Sequence, residues 1–267
     1  MRDFRRGAIH RARYGDLVAA CRAVAEMEGN SMYIDQELCK KCLDCKPVCP
    51  MGAFILKDKK VVVDYETCVE CGVCLRFEIC PENAIKQVDE IPYPRILRSV
   101  FSDPLQRHES TGILGRGTEE MKTNDVTNLF QKGKIGFSIE LGRPVGGAYL
   151  RDLEKVVKKV TAMGVTFAED NPVVQLIADR STGALKPEIL GERVLSAIVE
   201  CLVPEERALR FIDEMAEFLR AEVDCVVTMS AVSRADDDGN SAFLQKLKEV
   251  GKNPYPNGKV NIGMAIV

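Results

Sequence analysis

Beyond residue 133 the chain alternates between two hydrophobic periods. IGFSIEL at 135–141 has the apolar run of a strand, and residues 147–163 carry Leu150, Leu153, Val156, Val157 and Val160 on one helical face. VTFA at 165–168 predicts a second strand. The unit recurs as LSAIVECLV at 195–203, a helix over 204–221 and CVVTMSAV at 225–232. Setting Pro144 on Pro204 puts Glu140 on Glu200 and Val165 on Cys225 at a constant offset of 60. Two βαβ units in one segment predict an α+β sandwich of order βαββαβ, with both helices on one face of an antiparallel sheet. VNIGMAIV at 260–267 adds an edge strand, whereas residues 171–190 are ambiguous between strand extension and a short helix plus turn.

The first half reads differently. Leu17, Val18, Cys21, Val24 and Met27 follow Asp16 at helical spacing, so residues 16–28 predict an amphipathic helix stopped by Gly29 and Asn30. Residues 91–133 show little periodicity and many turn residues, the pattern of a long connector that drapes over the protein or stays mobile. Four segments result: a basic arm and helix over 1–30, a cysteine-rich domain over 31–90, the connector over 91–133 and the sandwich over 134–267, the last as a partner- or ligand-binding domain. With 267 residues, 46% of them hydrophobic, the chain can bury a core, which excludes a disordered tail. No apolar run approaches the roughly 18 residues that a bilayer span needs, so no membrane span is expected. Arg5 and Arg6 lead into IHRARYGDL rather than an apolar segment, so export is not expected and the cytoplasm is the expected location. A net charge of -3 gives no reason to expect nucleic acid, although residues 1–13 hold five Arg against one Asp.

Eight of the eleven cysteines form two runs, Cys39, Cys42, Cys45, Cys49 before Pro50 and Cys68, Cys71, Cys74, Cys80 before Pro81. Disulfides would suit a small secreted domain, but the long cysteine-poor remainder and the lack of a signal peptide argue for a reducing compartment. A zinc ribbon pairs CxxC motifs and has no use for a further cysteine at the next CxxC step. CxxCxxCxxxCP suits iron–sulfur chemistry, because three thiolates at two-residue intervals let a short loop curl over three corners of a cubane. The flanks repeat as well: MYIDQELCKKC matches VVVDYETCVEC and CPMGAF matches CPENAI, at offsets of 29 and 31. Residues 31–90 therefore resemble the bacterial-type two-cluster ferredoxins.

That resemblance implies two [4Fe-4S] clusters, with the fourth cysteine of each run crossing over to the other. Cys39, Cys42, Cys45 and Cys80 would hold the first, and Cys68, Cys71, Cys74 and Cys49 the second. The departure lies in the second run, where LRFEI replaces the three residues KPV before the last cysteine. This insertion changes loop shape around one cluster, and with it the solvent access and hydrogen bonding that set reduction potential. Residues 31–92 hold eight Lys and Arg against eleven Asp and Glu, and the clusters add negative charge. The expected partner is a redox enzyme with a basic docking surface, its encounter weakening as salt rises. Cys21, Cys201 and Cys225 sit among apolar neighbours and read as core.

In the sandwich, Glu205 and Glu206 complement the start of the second helix, whereas the first helix follows GRPVGGA, with no acid expected in its first turn. Arg143, Gly146 and Gly147 are thus candidates for binding a small anionic ligand, as in the ACT-like regulatory domains that this segment resembles in pattern only. The plain alternative is a glycine-rich strand-to-helix turn. Gly112, Gly115 and Gly117 beside Arg116 match neither a Walker loop nor GxGxxG, and ADDDGNS at 235–241 lacks the ligands of a calcium loop. His10 and His108 assemble no nucleophilic triad, so no catalytic residue is assigned. Three function classes stay open: an electron carrier of an oxygen-averse metabolism, a reductive activator or reductase with an anionic ligand on the C-terminal domain, and a ligand-responsive regulatory subunit with structural clusters.

Overall fold

The computed structural model describes residues 31–115, 129–143 and 146–254. The basic arm, the helix read over 16–28, Arg116, Gly117 and the edge strand at 260–267 lie outside the described residues. What is described is an α+β fold with helices and antiparallel sheets.

Residues 31–90 form two half-repeats paired with each other. β1 (Met32–Ile34) and β2 (Phe54–Lys57) come from the first half, β3 (Lys60–Val63) and β4 (Ile85–Gln87) from the second. The strands pair across the repeat: β1 lies antiparallel to β4, with Ile34 opposite Ile85, and β2 to β3, with Phe54 opposite Val63. Asp58 and Lys59, both with positive φ, make the two-residue hairpin turn whose twist matches its strands. Met32, Ile34, Ala53, Phe54, Cys68, Ala84 and Ile85 form a small core, and Cys39, Cys45, Cys49, Cys74 and Cys80 pack against it. Helix α1 (Val73–Arg76) spans the third cysteine of the second run and leads into its longer segment, LRFEI.

Residues 91–133, read as an aperiodic connector, contain helix α2 (Ile96–Ser102), which buries Arg98, Ser99, Phe101 and Ser102. Leu97 and Val100 pack with Phe101 against the C-terminal core, a stripe of three apolar residues in a seven-residue helix that is too short to stand out, and the rest of its buried face is polar.

The C-terminal region runs through β5 (Lys134–Leu141), β6 (Ala148–Tyr149), α3 (Leu150–Ala162), β7 (Thr166–Phe167), β8 (Ile177–Asp179), β9 (Ala184–Leu185), β10 (Arg193–Val194), β11 (Ala197–Pro204), α4 (Glu205–Glu222), β12 (Val227–Val232) and α5 (Ala242–Glu249). Its main sheet has the order β12-β5-β11-β7, every neighbour antiparallel. Period two places Ile135, Phe137, Ile139 and Leu141 of β5 in one core with Val199, Cys201 and Val203 of β11. The same core takes Leu150, Leu153, Val156, Val157 and Val160 from α3 and Ala208, Phe211 and Met215 from α4. Phe137 meets Phe211 at 4.6 Å between ring centroids and Phe243 of α5 edge-on at 6.5 Å. Each such large side chain contributes about 1.5–3 kcal/mol by leaving water.

One reading is corrected in detail and one ambiguity is settled. The first helix starts at Leu150 rather than residue 147, because Ala148 and Tyr149 first pair with β10 and the Leu150 N–H donates to the Glu192 carbonyl at 2.9 Å. Residues 171–190, ambiguous between strand extension and a short helix plus turn, hold a short 3-10 helix at Pro172–Leu176, capped by the Asn171 side chain, then the β8–β9 hairpin and a second 3-10 helix at Pro187–Ile189.

Candidate metal centres

The two cysteine runs adopt nearly the same backbone, 29 residues apart. Cys39 N–H donates to the Asp35 carbonyl at 3.0 Å and Cys68 N–H to the Asp64 carbonyl at 2.9 Å. Lys41 and Glu70 both take positive φ (61° and 54°), as do Leu43 and Gly72 (67° and 66°). A left-handed leucine or lysine is uncommon, and such positions are the backbone geometry from which anion-binding nests are made. The Cys-Pro arms also correspond. Ala53 N–H donates to Cys49 Sγ at 3.3 Å, and Ala84 N–H donates to Cys80 Sγ at 3.2 Å.

Strand pairing decides where those arms go. Ala53 begins the chain into β2, and its carbonyl accepts from Asp64 N–H at 2.7 Å, at the start of the second run. Ala84 does the same for the first run, accepting from Asp35 N–H at 2.8 Å. Each fourth cysteine is thereby carried to the opposite run. Cys49 lines one recess with Cys68, Cys71 and Cys74, of about 360 Å³ counted out to open solvent. Cys80 lines another with Cys39, Cys42 and Cys45, of about 370 Å³ on the same count.

The thiols feel this grouping. Burial raises Cys68 to about 12, with the Glu70 carboxylate adding to it, and raises Cys74 to about 12, with Cys71 and Cys49 adding. Burial likewise raises Cys45, with contributions from Cys42, Cys39 and Cys80. Such thiols stay protonated until a cation compensates them, so metal loading here releases protons. All ten described cysteines are free thiols. Among the described residues no group of three or more His, Cys, Asp or Glu is gathered tightly enough to hold a single metal ion.

The second recess has a polar frame that the sequence reading missed. Glu70, fully buried, accepts from Arg95 Nε at 2.9 Å and Nη2 at 2.6 Å, while Gln87 donates to its other oxygen at 3.3 Å. Arg95 also stacks on Tyr65, 3.4 Å from the ring centroid. Arg98, 2% exposed, donates through Nη1 to the carbonyls of Tyr65 (3.0 Å), Glu66 (3.0 Å) and Cys68 (2.8 Å), and through Nε to Glu192 of the C-terminal region. The arginines' spacing of three was the only hint in the sequence.

The proposed anion site does not assemble as expected. Arg143 is exposed, Gly147 N–H already donates to the Gly142 carbonyl at 3.2 Å, and the Gly146 carbonyl accepts from Arg193 at 2.6 Å. The turn opens β6 rather than a helix, and α3 has its own first-turn acid, Asp152, paired with Lys155 at 2.9 Å. Gly146 and Gly147 therefore do not offer a helix N-terminus. Gly147 does approach the second recess: a Cβ there would lie 3.1 Å from the Met51 methyl, and Met51 lines that recess.

A family model described as a 4Fe-4S dicluster domain matches residues 31–81. An uncharacterized ferredoxin of Methanocaldococcus jannaschii is 43% identical over 59 residues, 21% of this chain and 92% of that protein. The chain belongs to the dicluster ferredoxins. Ferredoxin-1 of Rhodobacter capsulatus is 49% identical to this ferredoxin over 41 residues, 15% of this chain and 63% of that protein. A second uncharacterized ferredoxin of M. jannaschii is 36% identical over 84 residues, 28% of this chain and 49% of its own. This ferredoxin thus spans less than two thirds of several curated relatives that it matches. No solved structure gives a significant match. No helix among the described residues is long and apolar enough to cross a membrane.

Proposed function

We propose that this ferredoxin is an iron–sulfur electron-transfer protein of a cytoplasmic, oxygen-averse metabolism. It holds one [4Fe-4S] cluster on Cys39, Cys42, Cys45 and Cys80 and a second on Cys68, Cys71, Cys74 and Cys49, and delivers low-potential electrons to a redox enzyme. The observation that supports the reading is that Cys49 lines a recess with Cys68, Cys71 and Cys74, and Cys80 lines one with Cys39, Cys42 and Cys45. The residues present fit the group: four soft thiols per recess, apolar walls from Met32, Phe54 and Val63 or Ile34, Val61 and Ile85, and a backbone N–H on each crossing sulfur. When bound, such clusters take up and release single electrons. The chain's part is to supply thiolates, exclude water from the apolar wall and hold sulfur charge with N–H donors. We read the β12-β5-β11-β7 sheet with α3 and α4 as a βαββαβ ferredoxin-like, ACT-like sandwich that selects the partner. The acidic balance of residues 31–92 favours a partner with a basic surface.

Anaerobic reconstitution tests this directly. Iron and acid-labile sulfide should each approach about eight per chain, with reducible visible absorbance. Cys49→Ser should deplete the centre of the second run and Cys80→Ser that of the first. Loss of the first-run centre in Cys49→Ser would overturn the crossed assignment, and a colourless preparation would overturn the function.

A further inference from the structure

Two guanidinium groups reach the main chain of the second run's own cysteines. Arg76 Nη2 donates to the Cys71 carbonyl at 2.6 Å, and Arg98 Nη1 donates to the Cys68 carbonyl at 2.8 Å. Each holds an acid with another nitrogen, Arg76 with Asp103 at 2.7 Å and Arg98 with Glu192. Arg76 comes from LRFEI, the longer segment by which the second run departs from the first. Gly72 makes room for it: a Cβ there would lie 2.6 Å from Arg76 Nη1, and the residue 29 positions earlier is Leu43. The shorter KPV of the first run supplies only Lys46, which is exposed.

We propose that Arg76 and Arg98 are positioning residues that raise the reduction potential of the second-run centre alone, and that Asp103 and Glu192 each offset part of that rise. This rests on the proposed function and names what tunes one of its two centres. An electron arriving on a centre adds negative charge, which a nearby cation favours and a buried or acidic surrounding opposes. Around Cys68, burial and then Glu70 oppose added charge, and Arg95 relieves part of that. Burial, then Cys49, raise the Cys71 thiol, while Arg76 lowers it by more than Asp103 raises it. The guanidiniums therefore work against the burial of their own recess. Glu192 belongs to the C-terminal region, 94 positions from Arg98, so that region acts on the second centre through charge although it lines neither recess.

Anaerobic redox titration of the reconstituted full chain, followed by electron paramagnetic resonance and iron content, tests this. Each centre gains one electron from dithionite, with no bond in the protein made or broken. Cys80→Ser, which keeps the second-run centre, assigns the two potentials. Arg76→Gln should lower the equilibrium constant for reducing the second centre by about threefold, or about 28 mV for a one-electron couple. Arg98→Gln should lower it further, because Arg98 is less open to screening water. Asp103→Asn and Glu192→Gln should raise it by about twofold or more, and Arg76→Lys should stay within about twofold of the unmutated chain. The first centre should not move in any of them. Both members of a pair break the same contact, so a loosened loop would shift both in one direction, whereas charge requires opposite signs. Shifts of the same sign within either pair, shifts shared by both centres, or none in any variant would overturn the proposal. If Arg98→Gln does not fold, the Arg76–Asp103 pair and Glu192→Gln decide it. Failure of the underlying function looks different: the unmutated chain would carry no iron and show no reducible absorbance.

Discussion

Arg98 is the side chain on which the two halves of the molecule converge, and its removal has a calculable cost. Three backbone carbonyls of residues 65, 66 and 68 and the Glu192 carboxylate all accept from one guanidinium whose side chain is 3% exposed, with Glu192 at 14%. Arg98→Ala leaves a mostly buried carboxylate without its counter-charge, which costs about 3–5 kcal/mol for pairs of this kind. The stranded carbonyls add to this, but the groups share one donor and their costs do not sum. We expect about 4 kcal/mol, a large fraction of the roughly 5–15 kcal/mol available to a folded protein. Arg98→Lys keeps the charge but replaces a planar fork with three donors at one point, and should recover less than about half of the loss. Urea unfolding of Arg98→Ala, Glu192→Gln and the double variant gives the coupling, expected to exceed about 1.5 kcal/mol in favour of the native pair. A loss under about 1 kcal/mol for Arg98→Ala, or a cycle that closes to zero, would refute the bridge between the second cysteine run and the C-terminal region.

Gly142 has φ +90° and a Cβ there would sit 2.6 Å from the Leu195 carbonyl oxygen and 2.8 Å from the Gly147 carbonyl carbon, so Gly142→Ala should lower stability by more than about 2 kcal/mol; Gly146→Ala, with open space around it, should cost clearly less in the same thermal melts. Cys201 is fully buried and its thiol is pushed up to about 12 by burial, so at pH 8 it stays protonated and should resist iodoacetamide until the chain unfolds, as read by peptide mass mapping. Burial lowers His108 below its ordinary value, which makes its neutral form the native one beside Phe101 and the Gly115 carbonyl. That contribution is complete above the unfolded value of about 6.5 and is lost as pH falls below it toward the folded value, because the unfolded chain then binds the extra proton. The stability advantage of the native protein over His108→Phe should therefore shrink between pH 7 and pH 5.

The elements that periodicity reached are those whose partners are apolar and regular. The strands at 135–141, 195–203 and 225–232 and the helix at 204–221 each appear within two residues at either end, because alternate residues of β5 and the 3–4 spaced residues of α3 and α4 enter one core. The cysteine spacing was legible for another reason: cluster ligation would tolerate few loop lengths, so the two runs and their flanks repeat, and the dicluster family is matched over residues 31–81. Helix α5 was passed over although Phe243 and Leu247 are both buried in the core, a spacing of four too short to stand out in eight residues.

What could not be read was held by polar atoms. Arg95, Arg98, Ser102 and Glu70 are all buried, yet hydropathy scores each as a surface residue, and their partners lie 17 to 94 positions away in the chain. The same blindness misplaced the anion site: a glycine-rich turn before an apolar stripe looks like a helix N-terminus until a two-residue strand, β6, claims the intervening backbone through partners 44 and 46 residues on. A hydrophobic core tolerates exchange of similar side chains, and so leaves a pattern. A buried guanidinium satisfied by three particular carbonyls tolerates none, and leaves only a pair of arginines in an unremarked segment. In this protein that second kind of contact joins the cysteine-bearing domain to the C-terminal region.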